Sequence, residues 1–155
     1  VATAGKQAAV TADVAQAEGV SGFVHEHEPR VPYFEGLKML QSADVVLVIG
    51  SDDASYAPSK AYGVLLAGRP VLALLHRQSA AAERLRACSN AVVIPFDGAD
   101  SAADIASRLE VALGSSAEPR MPARLEVNRE QLAPFTDAGM TEKLVAMMNR
   151  SLHAG

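Results

Sequence analysis

The sequence predicts an α/β fold of Rossmann-like type, a parallel sheet with helices on both faces. Four strand candidates alternate with helix candidates along the chain, the order that builds such a sheet. One of them, DVVLVI at residues 44–49, is apolar apart from its first residue, the pattern of a strand buried on both faces rather than of a half-exposed antiparallel one. Gly and Pro punctuate the joins, as at Gly68-Arg69-Pro70 ahead of the apolar run 71–75.

Each element follows from its own residues. Residues 6–18 carry Ala, Val and Gln at helical spacing and stop at Gly19, which predicts a helix. Residues 21–28 alternate, with Phe23, His25 and His27 on one side and Val24, Glu26 and Glu28 on the other, so a strand is predicted that Pro29 and Pro32 end. Phe34, Leu37, Met39 and Leu40 fit a short amphipathic helix over 33–42, ahead of the apolar strand 44–49. Pro58 suits the first turn of a helix over 59–67. Ser79 and Ser101 are predicted caps for helices over 80–87 and 102–113, with a short strand at 91–95 between them. Residues 114–124 (GSSAEPRMPAR) read as a linker or exposed crossing. A last amphipathic helix spans 140–152; its Met140, Leu144, Val145, Met147 and Met148 make a packing face, expected to dock on the main sheet or on a neighbouring domain. The predicted division is thus a Rossmann-like domain over 1–114 and a linker with a closing helix over 115–155.

Composition narrows the function. With 155 residues and 49% apolar content the chain has the size and core of one domain, and no run approaches the roughly 18 apolar residues of a membrane span. A soluble, cytoplasmic protein is expected. A net charge of −4 without a basic cluster argues against nucleic acid as a partner. Cys88, alone, reads as a small buried hydrophobe. No Ser-His-Asp arrangement, Walker-type glycine loop or Gly-x-Gly-x-x-Gly motif can be assembled, so hydrolase, nucleoside triphosphatase and oxidoreductase readings are weak. No cofactor and no metal are expected: His25 and His27 would share a strand face, but two ligands do not make a zinc site. Val1 in place of Met, with VATAG resembling the end of a strand, predicts an excised domain.

The residues that speak most directly to function are 50–60, which leave a predicted strand and enter a predicted helix. Ligands of parallel sheets collect beyond the carboxyl ends of the strands. A helix start there offers unpaired N–H groups and a positive dipole end, with the Ser59 hydroxyl and the Lys60 charge beside them, an arrangement suited to a phosphate. Asp52 and Asp53 read as turn formers rather than as an acid/base or magnesium pair. His76, just past the strand 71–75, either touches a ligand or holds a local backbone group. Arg69 reads as a water-exposed turn residue outside the site.

The ordered set Val31-Pro32-Tyr33-Phe34-Glu35, Leu40-Gln41-Ser42-Ala43-Asp44-Val45, Ala57-Pro58-Ser59-Lys60 and Leu66-Ala67-Gly68-Arg69-Pro70-Val71 resembles the carboxyl-terminal half of retaining GT-B glycosyltransferases of the group 1, family 4-like kind, over about residues 18–114. The resemblance implies a donor-binding domain that holds a nucleoside-diphosphate sugar, with an acceptor-binding amino-terminal domain that this chain has no room for. It implies transfer of a glycosyl group to an acceptor hydroxyl, without a metal, and no activity from this half alone. Tyr56, Ala57, Ser59 and Lys60 fall where the donor phosphates are held; Arg30, Val31 and Gly63 fall near base or ribose; His76 falls near the sugar. No residue is assigned to catalysis.

Two departures from the family pattern stand out. Gly63 and Ser55 occupy the positions where many relatives carry acidic residues, the first of them the glutamate that holds ribose hydroxyls, and of the basic pair near the start of the domain only Lys6 is a candidate. A non-catalytic interaction domain that has lost nucleotide-sugar binding is therefore the alternative. A flavodoxin-like or receiver-like signalling module is a third class, but Asp52-Asp53 alone does not supply a receiver's acidic site.

Overall fold

The computed structural model describes residues 11–26, 31–56, 58, 61–114 and 121–152. Two compact units divide the chain, Val1–Gly36 and Leu37–Gly155.

In the first unit, helix α1 (Thr11–Ala17) buries Ala15 and is followed by the predicted stop, Gly19 with φ +70°; residues 6–10 of the predicted helix lie outside the described residues. The strand predicted over 21–28 is not there: residues 21–26 form turns and irregular backbone, and His27 and Glu28 lie outside the described residues. An alternating pattern becomes a strand only when a neighbour completes its ladder, and among the described residues none is bonded to this segment. Phe23 is accordingly 88% exposed. Helix α2 (Tyr33–Ser42) spans the predicted residues and crosses into the second unit.

The second unit holds a three-stranded parallel sheet with helices around it, the α/β fold that the alternation predicts. Strands β1 (Val46–Ile49), β2 (Val71–His76) and β3 (Val92–Phe96) lie in that order, with Val46 opposite Val71 and Leu72 opposite Val92. Helix α3 (Ala61–Leu65) joins β1 to β2, α4 (Ala80–Cys88) joins β2 to β3, and α5 (Ala102–Leu113) follows β3.

Side-chain alternation separates two cores. Val46, Val48, Val71, Ala73 and Leu75 pack with Ala61, Val64 and Leu65 of α3 and with Ala81, Ala82, Leu85 and Cys88 of α4. On the opposite face Leu72 and Ile94 pack with Ala112 of α5, joined by Leu74, Val92 and Leu109. The carboxyl-terminal segment closes the first core with Leu125 and Leu132, held by an antiparallel bridge between Ser89 and Val127.

Among the described residues the central strand is β2, not β1. The run 44–49 is buried on one face only: Leu47 and Ile49 are 53% and 62% exposed, because no described residue covers that side of β1. β3 is also an edge, which explains how it tolerates Pro95, a residue without an N–H for the ladder.

Both predicted caps are present. The Ser79 hydroxyl accepts the Ala81 N–H, and Ser101 forms a reciprocal capping box with Asp104, while Gly114 closes α5 in the left-handed region at φ +94°. Helix α3 stops at Leu65, short of the predicted 67, while residues 59 and 60 of that prediction lie outside the described residues; the Ala61 N–H bonds to the Pro58 carbonyl at 3.0 Å. A short helix α6 (Arg129–Leu132) and a 3-10 turn (Ala133–Phe135), neither predicted, precede α7 (Asp137–Leu152). None of the α7 residues is buried, and Met140, Leu144, Met147 and Met148 are all exposed, so the expected docking face is bare among the described residues. No described helix is long and apolar enough to cross a membrane.

Candidate functional site

Three segments leave the carboxyl ends of the three parallel strands, and their side chains knit them together. The Gly50 N–H continues the β1 ladder to the Leu74 carbonyl at 2.8 Å. A Cβ on Gly50 would come within 2.9 Å of a Leu75 methyl, so the glycine lets the departing chain pass close over β2.

The loop 51–56 then folds on itself. The Asp53 carboxylate accepts both the Ser55 N–H at 2.8 Å and the Ser55 hydroxyl at 2.7 Å, and these two bonds hold its pKa below the ordinary value. Asp53 is therefore a turn former, as the sequence predicts, with its charge committed. Ser51 accepts the Asp53 N–H and donates to Asp52.

The turn after β2 is fixed at each residue. Arg77 N–H donates to the Phe96 carbonyl at 2.7 Å, Ser79 N–H to the His76 carbonyl at 2.9 Å, and Gln78 N–H to His76 Nδ1 at 3.1 Å. The His76 ring stands edge-on to Phe96, centroids 6.3 Å apart. Ser79, 4% exposed, accepts from α4 and donates to the Tyr56 carbonyl at 3.4 Å, tying this turn to the loop after β1.

The segment after β3 is held by charge. Arg77 Nε meets Asp97 at 2.7 Å, and a second guanidinium nitrogen reaches Asp100 at 3.4 Å. Asp100 also accepts the Asp97 N–H and pairs with Arg108 of α5, which in turn donates to the Pro95 carbonyl. The Arg77 bond, with a further one from the Ala99 N–H, pulls the Asp97 pKa down, and the same bond raises that of Arg77. Sequence reading missed this network, because its bonded partners are separated by up to 23 residues. The one local signal was an Asp at the loop start, Asp97, with a second three residues on.

Of the residues expected at the phosphates, Tyr56 is exposed at the loop end, whereas Ala57, Ser59 and Lys60 lie outside the described residues. Pro58, between them, is buried. Gly63 sits in α3, and a Cβ there would meet no described atom within 4 Å. Arg30 is outside the described residues, and Val31 belongs to the first unit, where a methyl of its side chain stands 3.6 Å from where a Gly36 Cβ would be. Arg69 is a turn residue after Gly68 at φ +68°, and it also donates to the Gln41 carbonyl at the end of α2. His25 is exposed on irregular backbone, and no group of three or more metal-ligating side chains occurs among the described residues.

Two hollows lie elsewhere. One of about 360 Å³ in the first unit is lined by Val14, Ala15, Val20 and Val24; one of about 390 Å³ in the second runs between β3 and α5. Neither includes a residue of the 51–56 loop or of the turn after β2. Searches with the chain match no family model, no curated protein and no solved structure.

Proposed function

We propose that this chain is the donor-binding half of a retaining GT-B-type glycosyltransferase, holding a nucleoside-diphosphate sugar at the corner that follows β1. The observation that carries the reading is the place of that corner. The loop 50–56, which leads in sequence into Ala57-Pro58-Ser59-Lys60, follows the carboxyl end of β1 in a parallel sheet, and ligands of such sheets bind at strand ends. The Ser59 hydroxyl and Lys60 ammonium would hold diphosphate oxygens and stabilise the charge that develops on the leaving group as the glycosidic bond breaks. The acceptor hydroxyl would be supplied by a partner half.

Calorimetry with uridine and guanosine diphosphates tests the reading. Binding that weakens about tenfold or more in Lys60→Ala supports it, a loss in line with one charge-assisted contact. Failure of the full-length protein to bind either nucleotide sinks it.

A second reading, a non-catalytic interaction domain, is favoured by one observation. Neither acidic position of the family pattern is filled, and the Ser55 hydroxyl that stands at one of them is already bonded to Asp53.

A further inference from the structure

The sheet of the second unit has two outer edges, and only one of them is closed. On β3 the Phe96 carbonyl accepts the Arg77 N–H beside β2, so alternation turns the main chain of Val93 and Pro95 outward. Both outward carbonyls are met: Arg86 of α4 reaches that of Val93 at 3.5 Å, and Arg108 of α5 donates to that of Pro95, which has no N–H to offer. A further strand finds little to bond there.

β1 is the opposite case. The Val46 and Gly50 N–H groups donate toward β2, to the Pro70 and Leu74 carbonyls, so the main-chain groups of Leu47 and Ile49 point away from the sheet. Among the described residues nothing bonds to them, and the strand itself carries no charge and no proline. The side chains of the same two residues are more than half exposed, on the face they share with Leu72 and Leu74. An open ladder with apolar side chains beside it is a template on which an extended peptide adds as a further strand.

The charges at the two ends of β1 select the peptide. Asp44 stands ahead of the strand and Asp52 after it, both exposed, and among the described residues neither carboxylate meets a cation. The same acids oppose a second copy of this chain: a two-fold register pairing Leu47 with Ile49 of the other copy would set Asp44 opposite that copy's Asp52, twice over. We infer that the outer edge of β1 docks an extended apolar segment of a partner protein, matching the four residues of the strand, with a Lys or Arg at each end. The main-chain ladder supplies the hold, and the two acids supply the choice of partner. The docking edge uses none of the residues assigned to the donor phosphates, so it stands or falls apart from the donor-domain reading.

The experiment titrates the protein with a fluorescein-labelled peptide, Lys-Val-Ile-Val-Val-Arg, at low ionic strength, and follows amide hydrogen exchange by NMR. In the free protein the Leu47 and Ile49 amides are expected to exchange faster than those of Val46, Val48 and Gly50, and the peptide to slow both about tenfold or more. Ile49→Lys sets a charge on the edge at a position that already faces water, and it should weaken binding about tenfold; a peptide with Asp at both ends should bind about tenfold more weakly too. Should Ile49→Lys disturb the sheet, two peptides methylated at alternate main-chain nitrogens leave the protein untouched. One frame must lose binding and the other keep it, because only every second N–H of an added strand faces β1. Slow exchange of Leu47 and Ile49 in the free monomer overturns the inference, as does no binding of the parent peptide, or binding indifferent to its end charges or to methylation in either frame. Self-association that slows the two amides without peptide assigns the edge to a second copy and overturns it as well.

Discussion

The buried hydroxyl of Ser79 reaches the backbone carbonyl of Tyr56 at 3.4 Å while accepting the Ala81 N–H, so one side chain both caps α4 and fastens the loop that follows β1. Two jobs on one oxygen can be separated by substitution. Ser79→Ala removes both and is expected to cost about 1–2 kcal/mol, read as a lower melting temperature. Ser79→Asp keeps an acceptor for the helix but has no proton for Tyr56. Its melting temperature should recover toward wild type, while the amides of residues 53–56 exchange faster. Equal exchange in wild type and both variants would show that the fastening has no effect.

Acid should loosen the strand-end loops before the core. The pKa of Asp53 is lowered by its bonds from Ser55, that of Asp97 by Arg77 and Ala99, and that of Asp104 by Ser101. A carboxylate whose folded pKa lies below its unfolded one stabilises fully above the unfolded value, about 3.9 for Asp, and loses that contribution as pH falls through the folded one. Stability should therefore be flat near neutrality with respect to these groups and decline below about pH 4. Asp97→Asn and Asp104→Asn should each reduce the slope of unfolding free energy against pH in that range, measured by urea denaturation at a series of acidic pH values.

Burial predicts a sharp contrast between two aliphatic side chains. Leu85 of α4 is fully buried in the first core, whereas Ile49 of β1 is 62% exposed. Leu85→Ala is expected to cost about 2–5 kcal/mol, and Ile49→Ala less than about 1 kcal/mol. Comparable losses in chemical denaturation would mean that Ile49 is covered in solution.

How much of this was readable beforehand depended on whether the signal was local. The Ser79 and Ser101 caps, the limits of α2 and α5, and the apolar strands each follow from residues adjacent in sequence, and all are present. The strand over 21–28, absent from its described residues 21–26, and the two-sided burial of β1 depend on what lies alongside, which alternation and apolarity do not encode. In the candidate site the Asp53 turn was legible from its loop setting. The Arg77, Asp97, Asp100 and Arg108 network was not, since only folding brings those residues together.

Gly63 offers a gain-of-function test. A Cβ there meets no described atom within 4 Å, and glycine inside a helix is less stable than most residues by about 0.5–1 kcal/mol. Gly63→Glu should raise the melting temperature slightly. Under the donor-domain reading it should also tighten nucleoside-diphosphate binding, because a carboxylate would stand where the family holds ribose hydroxyls. Stabilisation without tighter binding would favour the interaction-domain alternative.

Cys88 ends α4 with 1% of its surface exposed, and burial pushes its thiol pKa up. A thiolate is the species that alkylating reagents capture, so both effects silence this sulfur in the native state. The chain thereby carries an internal timer: maleimide or iodoacetamide reaches Cys88 when α4 parts from the sheet or from the carboxyl-terminal segment packed beside it, and the pace of modification reports those openings.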